Sequence, residues 1–444
     1  MLIGGTRYGR RTAAASAALG VLLVGVAGAP AHAETTREQQ WHLDAMKAEQ
    51  MWQTSTGEGI TVAVIDTGVD PSNPDLVGRV LDGKDYASRR PGDEHTDFDG
   101  HGTGMAGLIA GTGAYGGGKG AFGLAPGAKI LPIRLPGTVD ISPFETSAYL
   151  SKAIRYAADS GAQVINISMN GGSDSPDLNA AVRHALDKGS LIFAAVGNDG
   201  AKGYDIGYPA AVPGIVGVAA VGRDLRRTAE SQQGSRVDMA APGKDMVHAC
   251  GGETGLCKTN GTSDATAIAS ASAALIWSKH ENWSNNQVLR VMLNTIGAPT
   301  DGAKRNDSIG YGIVRPRIAL QDPGDPGPAD VYPLPDLKAA SASPSPEAAS
   351  AGTSGASRNV DPGMEVAKPD DDDGVPWLAM GIGAAVLLGA AIAATAVALR
   401  RRRSAGPPLL AAGSGQFPYN PMEFGPSAGT SDQVGPRDRG PGGF

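Results

Sequence analysis

Three short segments place an aspartate, a histidine and a serine where they could do chemistry: Val64-Ile65-Asp66-Thr67-Gly68, Asp99-Gly100-His101-Gly102-Thr103-Gly104 and Gly261-Thr262-Ser263-Asp264-Ala265. A serine hydroxyl becomes a useful nucleophile when a neighbouring base takes its proton, and an imidazole oriented by a carboxylate is such a base. The surrounding glycines and small residues let a substrate backbone come close. The trio therefore suits hydrolysis through an acyl intermediate, with Ser263 as nucleophile, His101 as base and Asp66 as the group that orients it. Its order along the chain is informative, because the same trio runs in other orders on unrelated folds. A fourth segment, Ala194-Ala195-Val196-Gly197-Asn198-Asp199-Gly200, sets Asn198 among small residues behind an apolar run. The same Gly-Asn-Asp-Gly run is also good turn chemistry. His95 lacks the glycine setting of His101 and reads as a loop residue.

The elements that must position these groups follow from hydrophobic pattern. The runs Ile60 to Ile65, Lys129 to Leu135, Val164 to Ser168, Leu191 to Val196 and Ile215 to Val221 are nearly continuous in apolar residues, as strands buried on both faces should be. Between them, Pro143 to Ser160 and Ser175 to Lys188 carry helical spacing and end at Gly161 and Gly189. The alternation predicts an α/β fold with a doubly wound, mostly parallel sheet and helices on both faces. Ligands bind such sheets at the carboxyl ends of the strands, where Asp66 and Asn198 fall.

The ends of the 444-residue chain differ in character from its middle. Arg7, Arg10 and Arg11 precede an apolar run from Thr12 to Val26, and Ala31-His32-Ala33 follows, so residues 1–33 read as a signal peptide; the Arg10-Arg11 pair fits the twin-arginine route less well than the general one. Residues 34–320 are ample for one large core. Residues 321–375 are rich in Pro, Ala, Ser, Gly and Asp, a composition expected to form an extended, disordered tether. Trp377 to Leu399 is free of charge and, at about 1.5 Å per residue, reaches roughly 34 Å, enough to cross a bilayer core. We therefore expect a transmembrane helix over 376–399. The block Arg400 to Arg403 behind it, against Asp370 to Asp373 in front, puts residues 400–444 in the cytoplasm and the catalytic region outside.

The two cysteines, Cys250 and Cys257, are close in sequence, and in an exported protein such a pair is expected to form a disulfide. Closing a loop of that size contributes about 2 to 3 kcal/mol. The net charge of −7 argues against a nucleic-acid partner. The acidic stretches Asp82 to Asp85 and Asp93 to Asp99 could offer oxygens to a structural calcium ion, but no regular ligand spacing is visible and solvated loop charge accounts for them. No cofactor is called for.

These motifs resemble those of the subtilisin-like serine proteases over about Trp41 to Leu320. Val62 to Asp70 is similar to that family's aspartate motif, Asp99 to Thr103 to its histidine motif, Gly261-Thr262-Ser263 to its serine motif, and Gly310-Tyr311-Gly312-Ile313-Val314 to the segment that closes its catalytic domain. The resemblance implies that Asn198 is the oxyanion-hole asparagine. It also implies that Ser168, Met169, Asn170 and Gly171 form the strand edge on which an extended protein or peptide substrate pairs. The interval from Glu34 to the first catalytic strand is short for a folded prodomain. With the signal peptide, tether, span and arginine stop, the architecture is similar to the mycosins, membrane-anchored proteases associated with type VII secretion in actinobacteria. The implied function is a serine endopeptidase on the outer face of the cell membrane beside a secretion complex. The alternative is a scaffold that stabilises such a complex, with catalysis dispensable.

Two positions depart from the common pattern. Asp264 follows the nucleophile where an apolar or small residue is usual, and Ala267 stands where a proline is usual. A carboxylate in the first turn favours the helix dipole by about 0.3 to 1 kcal/mol, yet its charge would oppose a nearby oxyanion.

Overall fold

The computed structural model describes residues 35–342, apart from 138–139, 204 and 252–254. Seven strands form one sheet, in the order β2-β3-β1-β4-β5-β6-β7, with every neighbouring pair parallel. They are β1 (Thr61–Asp66), β2 (Lys84–Asp85), β3 (Lys129–Arg134), β4 (Val164–Ile167), β5 (Leu191–Ala195), β6 (Val216–Val221) and β7 (Met239–Pro242). The order reverses direction at β1, whose neighbours are β3 on one side and β4 on the other.

Side chains along β1 alternate between two cores. Val62 and Val64 join a cluster with the helices α4 (His101–Ala110) and α7 (Thr262–Lys279), while Ala63 and Ile65 join one with α5 (Pro143–Asp159) and α6 (Pro176–Asp187). Such two-sided burial is why the strand sequences are apolar throughout. The ends of the helices follow from local chemistry. Ser142 and Glu145 make a capping box before Pro143, and Ser175 caps α6 by accepting from the Leu178 N–H. Gly161 and Gly189, just beyond the two helices, adopt φ of 78° and 89°, conformations that cost other residues strain.

Before the sheet come three short helices, α1 (Thr36–Gln39), α2 (Trp41–Met46) and α3 (Ala48–Trp52), fastened to the domain by polar side chains. The fully buried Gln40 amide donates to the carbonyls of Phe122 and Val247 and accepts from the Phe122 N–H. Trp41 Nε1 donates to the Lys244 carbonyl at 2.8 Å.

Beyond β7, β8 (Met246–Ala249) and β9 (Leu256–Thr259) form a separate antiparallel hairpin whose ends are joined by the Cys250–Cys257 disulfide. After α7 come α8 (Asn285–Asn294), α9 (Pro316–Gln321) and α10 (Asp336–Ala342). The tether expected from residue 321 does not begin there. Residues 326–336 lie on the domain: the Arg290 guanidinium donates to the carbonyls of Pro326, Pro328 and Val331, Leu334 is buried, and Asp336 Oδ2 accepts from the Gly214 N–H at 2.7 Å. The composition is rich in proline, but carbonyls freed from regular structure find one clasping arginine, and Tyr332 and Leu334 supply apolar burial. Among the described residues no helix is long and apolar enough to cross a membrane. The signal peptide over 1–33, the span over 376–399 and the tail over 400–444 lie outside the described residues.

Candidate active site

Asp66 is the last residue of β1 and fully buried; His101 opens α4; Ser263 lies in the first turn of α7. All three line one cleft of about 600 Å³ with Asn198, Ser168, Met169, Asn170 and Gly171. The cleft sits at the carboxyl ends of the central strands, beside β1, where the strand order changes direction.

The imidazole and the carboxylate are in direct contact. His101 Nδ1 is 2.7 Å from Asp66 Oδ1, which also accepts from the Thr67 N–H at 2.8 Å. The other oxygen, Asp66 Oδ2, is buried and has no hydrogen-bond partner among the described residues. The Asp66 carboxylate, opposed by partial burial, raises the His101 pKa to about 9. Close packing brings the two groups together: a Cβ on Gly102 would come within 2.1 Å of the Gly68 carbonyl oxygen, so only glycine fits beside His101.

Ser263 stands differently. Its Oγ donates to the carbonyl of Ser168 at 3.1 Å, not to His101, and the Ser168 hydroxyl in turn donates to the Ser263 carbonyl at 3.2 Å. To act as a nucleophile, the hydroxyl would have to turn from the strand edge towards the imidazole. Asn198 is held through its carbonyl oxygen. Its Oδ1 accepts from both the N–H and the hydroxyl of Thr262, at 2.8 and 2.9 Å, which leaves the amide N–H₂ of this exposed residue directed at the cleft. On the strand edge, the Gly172 N–H is already engaged by the Tyr208 carbonyl at 3.2 Å, so the free rim of that edge ends at Gly171.

Several residues that hold this geometry escaped the sequence reading. Asp97, within a stretch considered for calcium, is an anchor for the histidine loop. Its Oδ1 accepts from Thr67 Oγ1 and the Gly100 N–H, and its Oδ2 from the N–H and hydroxyl of Thr103. Asp93 is likewise taken up by Thr96 and the His95 N–H, and Asp85 by the Ala87 N–H. Among the described residues no group of three or more His, Cys, Asp or Glu side chains is arranged to hold a metal ion. Below the cleft, Ser270 of α7 donates to Asn166 of β4 and Asn166 to Ser168, a buried polar chain that fixes the strand edge against the helix. No local signal marks Asp97: it lies three residues ahead of Gly100, the residue that caps α4, and its partners Thr67 and Thr103 are brought to it only by the fold.

Asp264 is buried, and its surroundings explain how a carboxylate is tolerated there. Thr259 Oγ1 lies 2.6 Å from its Oδ1, and on the other side of that hydroxyl is His248 Nε2, at 2.7 Å. Burial raises the pKa of Asp264 and lowers that of His248, so both favour their neutral forms.

Comparison with known proteins agrees with this geometry. The model of the subtilase family, Peptidase_S8, matches residues 57–312, more than half of the chain. Subtilisin E of Bacillus subtilis is 35% identical over 53% of this chain, and the chain spans 60% of that relative's length. Among solved structures, MycP3 protease from the type VII (ESX-3) secretion system is 32% identical, with a TM-score of 0.54 over 66% of this chain and 90% of that one. MycP1 from Mycobacterium smegmatis is 27% identical, with a TM-score of 0.57 over 69% of this chain and 90% of the other.

Proposed function

This chain belongs to the subtilase family, and from that premise we propose that it is a membrane-anchored serine endopeptidase acting outside the cytoplasm, beside a type VII secretion complex. The observation that carries the catalytic part is the convergence of the Asp66–His101 pair, Ser263 and Asn198 on one cleft. Ser263 Oγ attacks the scissile carbonyl carbon as His101 Nε2 takes the hydroxyl proton, and Asp66 holds the Nδ1–H and balances the imidazolium charge. Asn198 and the Ser263 N–H receive the oxyanion. The imidazolium then protonates the departing amine as the C–N bond breaks, and water repeats the sequence to release the acyl group. The substrate is an extended peptide segment that pairs along Ser168 to Gly171.

The anchoring part rests on the uncharged run from Trp377 to Leu399 and the arginine block behind it. The secretion link is supported by the similarity to MycP1 and MycP3. Labelling of the full chain with a fluorophosphonate probe tests the catalytic reading: the wild type should label, and Ser263→Ala and His101→Ala should not. A folded wild type that fails to label refutes it. One observation favours the scaffold reading, namely that the Ser263 hydroxyl is engaged by Ser168. Secretion restored by Ser263→Ala in a deletion strain would decide for the scaffold.

A further inference from the structure

We propose that His248, Thr259 and Asp264 form a buried hydrogen-bond chain sharing one proton, which ties the two catalytic helices together and keeps Asp264 uncharged beside the nucleophile. The proposal rests on the protease reading for its catalytic consequence, and on geometry alone for the chain itself.

Counting hydrogens along the contacts leads to the shared proton. His248 Nδ1 is 2.7 Å from the Ala249 carbonyl, which can only accept, so Nδ1 carries a hydrogen. In a neutral ring Nε2 is then a lone pair, and the single hydrogen of Thr259 must point to it. The 2.6 Å contact between Thr259 and Asp264 then needs a hydrogen from the carboxyl group. If the Thr259 hydrogen points to Asp264 instead, Nε2 must carry one and the ring is a cation. Both arrangements hold one proton more than a carboxylate with a neutral imidazole, in which two lone pairs would face each other at one of the contacts. Moving that proton through the hydroxyl interconverts them, and burial of both side chains favours the uncharged one.

The chain spans the parts that catalysis needs. The His248 ring lies on the helix that starts at His101: a Cβ on Gly104 would come within 2.6 Å of its Cε1. His248 pairs with Cys257 in the hairpin closed by the disulfide, Thr259 ends that hairpin, and Asp264 follows Ser263 in α7. Two other titratable groups face the chain, the buried His42 of α2 and His101 of α4. Asp264 and Thr259 are positioning residues: neither lines the cleft, but they set the charge and placement of groups that do.

The test uses the full chain and two readouts. Between about pH 4 and 6.5 the unfolded wild type holds one proton on His248, and the folded chain also holds one, so this pair adds no pH dependence to stability. In Asp264→Asn the side chain donates permanently, the folded His248 is neutral, and the unfolding constant should fall by up to about tenfold per pH unit more than in the wild type as pH rises through that window. Equal pH dependence in the two proteins overturns the shared proton, whether or not the protein labels. With the fluorophosphonate probe, Thr259→Val should label about tenfold more slowly and Thr259→Ser should recover the rate. The ratio of Asp264→Asn to wild-type labelling should rise with pH as the wild type loses the shared proton. Undiminished labelling by Thr259→Val, or a ratio that falls with pH, overturns the catalytic consequence.

Discussion

Two aspartate–histidine pairs lie on either side of α4, and the same residue types reach opposite electrostatic ends. Asp66 and His101 meet directly at 2.7 Å on the rim of the cleft, where 38% of the imidazole is exposed. Asp264 and His248 lie 3.7 Å apart in the interior, each 2% exposed, with Thr259 between them. In the first pair the carboxylate stabilises an imidazolium and raises its pKa to about 9; in the second, burial dominates and the imidazole's pKa falls. Contact distance and access to water decide the outcome more than residue identity. A base that must accept a proton during turnover belongs to the first environment, and a group that must stay neutral belongs to the second.

The comparison breaks most severely at Asp66. Asp66→Asn keeps the shape of the first pair but removes its charge, and peptide turnover should fall by about 10⁴-fold with folding retained, measured as kcat on a cleaved peptide. Asn198→Ala leaves both pairs intact and should lower kcat by about 10²- to 10³-fold, a factor measured in subtilisin, a relative; a smaller loss would mean that the oxyanion is held chiefly by backbone. Joint replacement of Cys250 and Cys257 by serine loosens the hairpin that carries His248 and Thr259, and should cost about 2 to 3 kcal/mol in denaturant unfolding. A smaller and subtler effect is expected at His42. This ring is fully buried, neither nitrogen has a hydrogen-bond partner among the described residues, and burial lowers its pKa to about 3. Because the folded pKa lies below the unfolded one, the stability it preserves above about pH 6.5 is lost as pH falls towards 3, by at most about 1.4 kcal/mol per pH unit. His42→Leu should remove that part of the acid sensitivity, visible as a shallower decline of the unfolding midpoint between pH 6 and 4. The rate of fluorophosphonate labelling should also rise with pH through the His101 titration, and its midpoint should fall in Asp66→Asn.

How much of this could be read from sequence depended on how local the determinants are. Asp66, His101, Ser263 and Asn198 each sit in a contiguous run of glycines and small residues, so their settings were legible without knowing what lies opposite. The five long strands were legible because burial on both faces leaves an unbroken apolar run. Long-range partners were not. Asp97 reads as one more loop acid until Thr67 and Thr103 converge on it, and His248 reads as nothing in particular until the hairpin places it on Gly104. The segment after Gln321 has the composition of a tether, yet Arg290, some 40 positions earlier, supplies the donors that dock it. The resting direction of the Ser263 hydroxyl is also a tertiary matter, set by the carbonyl of a strand that the sequence places 95 residues away.

The docked segment also sets a direction of approach. Asp336, the first residue of the last described helix, is fastened to the Gly214 N–H, immediately ahead of β6, and Leu337 packs near Val182 and Leu186 at the end of α6. That is the amino-terminal pole of the parallel strands, and the cleft opens at the carboxyl-terminal pole. Incoming polypeptide and the root of the C-terminal continuation therefore occupy opposite hemispheres of the domain. Were the continuation anchored as proposed, a bulky client could reach the cleft without crossing the anchored pole, and lengthening the chain after Ala342 should alter reach while leaving admission to the cleft unchanged.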